Sequence, residues 1–362
     1  MPRNPSRQAM WLHRGWMHPL VDEGGVALVL TLLIITLISV IVLDVNYLMR
    51  VDVHASANFR DGLRAYYMAK GGVNLTRELF SRNIQEWEEL KRTLLTGTPQ
   101  TLPLSDGEVT LRVIDETGKI NLNALVIETA AGEQTSTGKA LQAAGQTATD
   151  PQEANPWILI AQDLFQRLGI DPLLVEAIVD WIDVDEVPIG PGGAESNYYR
   201  SLEKPYTARN GPMETIAELR LIRGFTDEVL LKLGAKRVGG IVDPATNLYL
   251  AALPLPQGGG WRVNLNTAPP LLLRSLTRDV GRYAELIVQR RSQSRIEKIT
   301  DLQQLGITGE ALQDFERLGA VDSTYYSIEA RGNVGEMSKQ VTALIRAGAD
   351  QGGSQILYWR VQ

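Results

Sequence analysis

The run Asp180-Trp181-Ile182-Asp183-Val184-Asp185-Glu186-Val187-Pro188 is followed by Gly190-Pro191-Gly192-Gly193-Ala194-Glu195-Ser196-Asn197-Tyr198-Tyr199, so carboxylates crowd a glycine-rich turn. The apolar spacing before Asp180 predicts a helix. These acids then gather at its C-terminus, where the helix dipole already disfavours negative charge. A cation is the chemistry that offsets them. Calcium takes about six to eight oxygens, and a glycine-rich loop can supply carbonyls alongside Asp and Glu. The spacing is not that of an EF-hand, because counting Asp183 as first puts Val187 fifth and Ala194 twelfth. Arg200 and Lys204 are the protein cations that can take a metal's place, and a solvated acidic turn is the plain alternative.

Other chemistries are poorly supplied. The chain has no cysteine, hence no thiol nucleophile and no disulfide, and only three histidines. His13 and His18 precede residue 26, and the lone His54 builds neither a catalytic triad nor a multi-histidine metal site. An enzyme is not expected. The net charge is −6 over 362 residues, and the first 25 residues hold three arginines against Asp22 and Glu23, so the remainder stands near −7. Such a balance argues against a nucleic-acid partner, which needs cations to displace phosphate counterions.

The elements that must hold these residues begin with an anchor. Residues 26–43, VALVLTLLIITLISVIVL, carry no charge. At a helical rise of about 1.5 Å per residue they span the hydrocarbon layer of a bilayer. Arg3, Arg7 and Arg14 lie upstream with no acid before Asp22, which predicts a cytoplasmic N-terminus and an exported remainder. The run is too long for a secretory peptide core, and Leu43-Asp44-Val45-Asn46 offers no small-residue exit. Gly24-Gly25 directly before the apolar helix separates it from an ordinary signal anchor. A short basic leader, a glycine and a persistent apolar helix resemble the type IV pilin class processed by prepilin peptidase. That resemblance implies cleavage between Gly25 and Val26. The fifth position after the cut is Leu30 where pilin-like proteins carry Glu. A subunit with no neighbour above it has no N-terminal amine to neutralise, so the departure implies a filament tip.

From Val26 to about Arg82 there is no proline, and Leu63, Tyr66, Tyr67, Ala69, Val73, Leu75 and Leu79 recur at helical spacing. The spanning helix is therefore expected to continue as an amphipathic stem, with Gly71-Gly72 marking a bend. A short helix is expected from Gln85 to Leu95. Val109, Leu111 and Val113 then alternate as a strand leading to a hairpin turn at Asp115-Glu116-Thr117-Gly118. Residues 325–333, 337–346 and 356–361 read as returning strands, with a turn at Gly332–Glu336.

The middle is duplicated. Ile120-Asn121-Leu122-Asn123-Ala124 recurs as Val263-Asn264-Leu265-Asn266-Thr267-Ala268, each leading into helical pattern, over 159–182 and 271–291. Thr215-Ile216-Ala217-Glu218-Leu219 is echoed by Ile299-Thr300-Asp301-Leu302. The first copy is longer, with a polar stretch at 129–152 expected as a mobile loop and the carboxylate-rich loop at 183–212. The Asn-Leu-Asn-Thr-Ala phrase also opens helix-hairpin-helix domains of membrane-anchored DNA-uptake receptors, which is the alternative function. Yet the turn 276–281 lacks their paired glycines, and Arg278, Arg282, Arg290, Arg291, Arg295 and Lys298 read more simply as a solvated helix face.

Taken together, the basic leader, Leu30, the duplicated modules and the DWIDVD…GAESNYY run resemble the K-type minor pseudopilins of type II secretion systems. The resemblance covers nearly the whole chain. It implies an α+β, type IV pilin-like fold, with a long N-terminal transmembrane helix and an antiparallel β-sheet. A large α-helical domain of two SAM-like or helix-hairpin-helix-like modules interrupts that sheet. It implies a non-enzymatic tip subunit in the inner membrane with a periplasmic domain, exporting folded proteins. The implied partners are the I-type and J-type pseudopilins, other pseudopilins and prepilin peptidase; leader cleavage and methylation are the implied processing. Structural calcium is implied at Asp183, Asp185 and Glu195, with Asp180 and Asn197 completing the candidate set. The expected divisions are a leader at 1–25, helix and stem at 26–96, sheet at 97–124, helical modules at 125–262 and 263–320, and returning strands at 321–362.

Overall fold

The computed structural model describes residues 23–81, 87–128, 134–135, 155–256, 260–276, 282–349 and 353–362. The expected leader up to residue 22, Gln85, most of the 129–152 stretch and Arg278 lie outside them. The chain divides into two compact units, Met1–Leu63 and Arg64–Gln362.

Helix α1 runs from Glu23 to Ser81 without interruption, as the absence of proline allows. In the first unit its apolar side chains from Val26 to Leu43 are exposed. Among the described residues it is the one helix long and apolar enough to cross a membrane. In the second unit Ala69, Val73 and Leu79 are buried against the sheet, on the stripe that the helical spacing predicts. The helix passes through Gly71-Gly72, where Gly72 answers a packing demand. A Cβ there would lie 2.6 Å from Leu111 Cδ2, so glycine lets the helix approach the strand. A short helix, Glu88–Leu95, follows.

The sheet has five strands: β1 (Gln100–Leu104), β2 (Gly107–Asp115), β3 (Tyr325–Val334), β4 (Met337–Ala349) and β5 (Gly353–Val361). They lie side by side in that order, and every neighbouring pair is antiparallel. Alternation explains why they form. Val109, Leu111, Val113, Ile328, Ala330, Val341, Ala343 and Ile345 point to the face covered by α1 and make one core. The first strand, β1, had no separate sequence reading.

Everything from Glu116 to Thr324 is inserted between two adjacent strands. Asp115 pairs with Tyr326, so the chain leaves and re-enters the sheet at neighbouring positions and the sheet stays whole. The expected hairpin turn at Asp115–Gly118 is corrected here. Residues Glu116–Gly118 form a 3-10 turn, and Ile120–Asn121 pairs in parallel with Leu250–Ala251, away from the main sheet. Asp115 Oδ1 accepts from Thr117 N–H at 2.9 Å, which starts that turn and diverts the strand.

The duplication holds in three dimensions. Val263–Asn264 pairs in parallel with Gly319–Ala320, repeating the Ile120–Asn121 arrangement. Helices Pro156–Arg167 and Leu174–Ile182 in the first copy correspond to Pro270–Ser275 and Arg282–Gln293 in the second. A 3-10 segment and a helix close each copy, Ile216–Leu221 with Asp227–Lys232, and Ile299–Leu305 with Gly309–Leu318. The capping carboxylates repeat as well. Glu218 accepts from the N–H groups of Glu214 and Thr215, and Asp301 from those of Glu297 and Lys298. Both copies share a continuous core, from Trp157, Phe165 and Ile178 to Leu272 and Phe315.

Candidate metal centre

The acidic loop is built on the helix Leu174–Ile182. Val175, Ile178, Val179, Trp181 and Ile182 bury their side chains and fix its rotation, and this carries Asp180 inside with no exposed surface. Asp183 N–H closes the helix on Val179 O at 2.9 Å, and Asp183 then turns extended, also fully buried. Glu195, just before the short helix Ser196–Arg200, is 3% exposed. One carboxylate oxygen from each of Asp180, Asp183 and Glu195 falls within 4.8 Å of the other two.

Several contacts shape the loop around this trio. Ile189 N–H donates to Asp180 Oδ1 at 3.1 Å, and Gly192 N–H to Glu176 Oε2 at 2.8 Å. Arg223 Nη1 donates to Gly193 O at 2.9 Å, and its guanidinium lies over the Tyr198 ring. Ser196 donates to Glu186 through N–H and Oγ, at 3.2 and 2.8 Å, and Asn210 Nδ2 adds a third bond at 3.0 Å. These bonds, led by the Ser196 hydroxyl, hold the Glu186 carboxyl below its ordinary range. Gly193 is required by space, because a Cβ would lie 2.4 Å from Asp180 Oδ2. Trp181 and Tyr206 flank Tyr199, whose hydroxyl accepts from Arg223 N–H. Burial, with the Asp180 charge acting in the same direction, raises the Tyr199 pKa and keeps it a neutral phenol.

Of the five expected ligands the structure brings three together. Asp185, half-buried, turns its Oδ1 to Val187 N–H at 2.8 Å and lies outside the trio; Asn197 is exposed. Sequence reasoning missed the supporting Glu176 and Arg223, and it quoted Glu186 among the carboxylates without its bonds to Ser196. Glu176 had a signal, since it precedes Asp180 by one helical turn. Arg223 had none. Gly25 and Val26 lie in α1, and His54 is exposed on the same helix.

Coulomb repulsion between two ionised carboxylates at this separation is on the order of 3 kcal/mol at an effective dielectric near 20. Calcium–oxygen distances of about 2.3–2.6 Å put two oxygens on one ion up to about 5 Å apart. A trio within 4.8 Å therefore suits one hard cation. All three donors are carboxylate oxygens, the chemistry calcium prefers.

Two arginines of the second module's basic stretch make structural bonds. Arg291 donates to Leu265 O and Ala268 O at 2.9 and 2.7 Å, and its burial lowers its pKa. Arg295 donates to Val321 O and to Asp322 Oδ1. Guanidinium groups spent on backbone carbonyls are withdrawn from phosphate recognition.

Residues 118–235 match the family described as "Type II secretion system (T2SS), protein K". A type II secretion system protein K of Pseudomonas aeruginosa is 25% identical over 342 residues, covering 91% of this chain and 90% of its own. That of Aeromonas hydrophila is 23% identical over 344 residues, covering 91% of this chain and 94% of its own. A chain in the crystal structure of the GspK-GspI-GspJ complex of enterotoxigenic Escherichia coli shares the fold. The TM-score is 0.56 at 20% identity, over 87% of this chain and 99% of that one. With a stem and sheet split by a duplicated helical insertion, and with near-full-length relatives of one description, the chain is similar to type II secretion system protein K over nearly its whole length.

Proposed function

We propose that this chain is the minor pseudopilin at the tip of a type II secretion pseudopilus, a non-enzymatic assembly subunit. One observation carries the reading. The insertion 116–324 enters and leaves between two adjacent strands of an intact pilin-type sheet, with Asp115 and Tyr326 as its portals. Such an insertion adds bulk without breaking the subunit that must enter a filament. It is this bulk that would keep another subunit from stacking above. The exposed apolar part of α1 anchors the chain in the inner membrane, N-terminus inside, and leaves residues beyond the span in the periplasm. Prepilin peptidase would cut after Gly25.

The structure of the relative contains GspI and GspJ, so the partners proposed here are the corresponding I-type and J-type pseudopilins. Asp180, Asp183 and Glu195 would hold calcium, which would fix the 183–212 loop. Co-purification of the full chain with I-type and J-type pseudopilins tests the assembly reading. The DNA-uptake alternative makes the opposite forecast, with no pseudopilin binding and DNA affinity falling with salt at a log–log slope of about −0.9 per phosphate contact. The half-buried Arg291, spent on the Leu265 and Ala268 carbonyls, favours the first outcome.

A further inference from the structure

The strands that bury Val109, Leu111 and Val113 against α1 turn Thr110, Arg112 and Ile114 to the opposite face. There the hairpin formed by Lys236–Val238 and Ile241–Asp243 overhangs the sheet, tied to β5 by Arg360 and Asp243 at 3.1 Å. Between them lies a cleft of about 370 Å³, within the range of ligand sites. Ile114, Leu344, Tyr358 and Val238 give it an apolar lining. Val238 and Tyr358 are 45% and 40% exposed.

The charges in this cleft do not balance. Each carboxylate that lines it already faces a cation: Glu329 with Arg112, Asp243 with Arg360, Glu116 with Lys119, and Glu214 with Arg209. Arg237 is matched by Asp227 outside the cleft. Lys236 and Arg331 remain. They line both this cleft and the shallower depression that continues it past Thr110 and Asn333. Arg331 donates only to the neutral Gln340 side chain, and among the described residues neither cation makes an ion pair.

We infer that this cleft is a docking site for an extended, acidic segment of the protein being exported, in which a carboxylate meets Lys236 and Arg331 while apolar neighbours cover Tyr358 and Val238. The inference rests on the tip reading above. Its choice of occupant follows from the faces of the sheet. On the tip reading, a filament neighbour packs on the open side of the stem, where Tyr67 and Leu75 are 59% and 50% exposed. The cleft is on the other side of the sheet from that helix, so a neighbour packed stem to stem leaves it open.

The test titrates the detergent-solubilised full chain into a short fluorescein-labelled peptide alternating Asp with Phe and Leu, followed by anisotropy. The same peptide with Asn for Asp is the control. The acidic peptide should bind and release as salt rises, and Lys236→Glu with Arg331→Glu should weaken it at least about tenfold. Lys236→Gln with Arg331→Gln should also lose binding, which guards against misfolding of the charge-reversed variant. In cells, the reversed variant should enter the complex with I-type and J-type pseudopilins as the parent does while releasing less exported protein. Equal binding of the two peptides, or variants that bind like the parent, would overturn the proposal. Loss of pseudopilin assembly by the variant would assign the cleft to a filament neighbour and overturn it too. A parent chain that never joins the pseudopilins would sink the tip reading, while the peptide titration still decides the cleft.

Discussion

Asn123 and Asn266 occupy equivalent places in the two modules and do the same work. Asn123 Oδ1 accepts from Met213 N–H at 2.7 Å, and its Nδ2 donates to Met213 O and Leu253 O at 3.0 and 2.9 Å. Asn266 Oδ1 accepts from Ile296 N–H at 2.9 Å, and its Nδ2 donates to Ile296 O and Val321 O, both at 3.0 Å. Each amide thus mimics a strand, pairing one backbone segment on both its groups and bridging to a second. Truncation strands buried donors and acceptors at about 1–3 kcal/mol each. Asn123→Ala should therefore cost more than about 2 kcal/mol and Asn266→Ala slightly less, because Asn266 is only half-buried. Denaturant unfolding of the two variants checks both the size and the order.

Removing calcium should destabilise the chain. A ligand that binds only the native state adds RT ln(1 + [L]/Kd), about 2.7 kcal/mol at a hundredfold excess. Chelator should lower the melting temperature by several degrees, and calcium should restore it better than magnesium, which demands a tighter octahedron. Asp183→Asn with Glu195→Gln should erase the chelator effect. Gly193→Ala makes the same point without changing charge, since its Cβ would displace Asp180 Oδ2. Melting that ignores chelator would reduce the loop to an acidic turn.

Two carboxyls should impose opposite pH slopes. Burial raises the Asp115 pKa above its ordinary 3.8, although Ser323, Thr267, Thr117 N–H and Asn264 all donate to it. Its contribution is fully present below that ordinary value and is lost as pH rises through the elevated one. The Glu186 pKa is lowered from 4.5, so its contribution is present above that value and lost as pH falls. Melting between pH 3 and 7 should accordingly flatten in one direction for Asp115→Asn and in the other for Glu186→Gln. The Glu186 effect should be the smaller, because its side chain is exposed.

Processing gives a direct readout of the N-terminal reading. With prepilin peptidase present, N-terminal sequencing of the mature chain should begin at Val26. Gly25→Leu should leave the precursor intact in the membrane and abolish secretion. Normal cleavage of that variant would remove the basis for the leader.

What was legible in the residues was what neighbours in sequence decide. The unbroken α1 and the alternation of Val109, Leu111 and Val113 follow from periods of a few residues, and the recurrence of Ile120–Ala124 at Val263–Ala268 is read by setting one short phrase against the other. The tertiary structure decided what depends on closure over long distances. That β2 finds β3 across the whole insertion, and that Ile120–Asn121 leaves the sheet for Leu250–Ala251, is set by which faces can be buried together. At the acidic loop, composition showed that carboxylates crowd a turn, but selecting Asp180, Asp183 and Glu195 over Asp185 needed the actual path of the chain. A carboxylate's neighbours depend on backbone direction, and that direction is set by distant contacts such as Arg223 on Gly193.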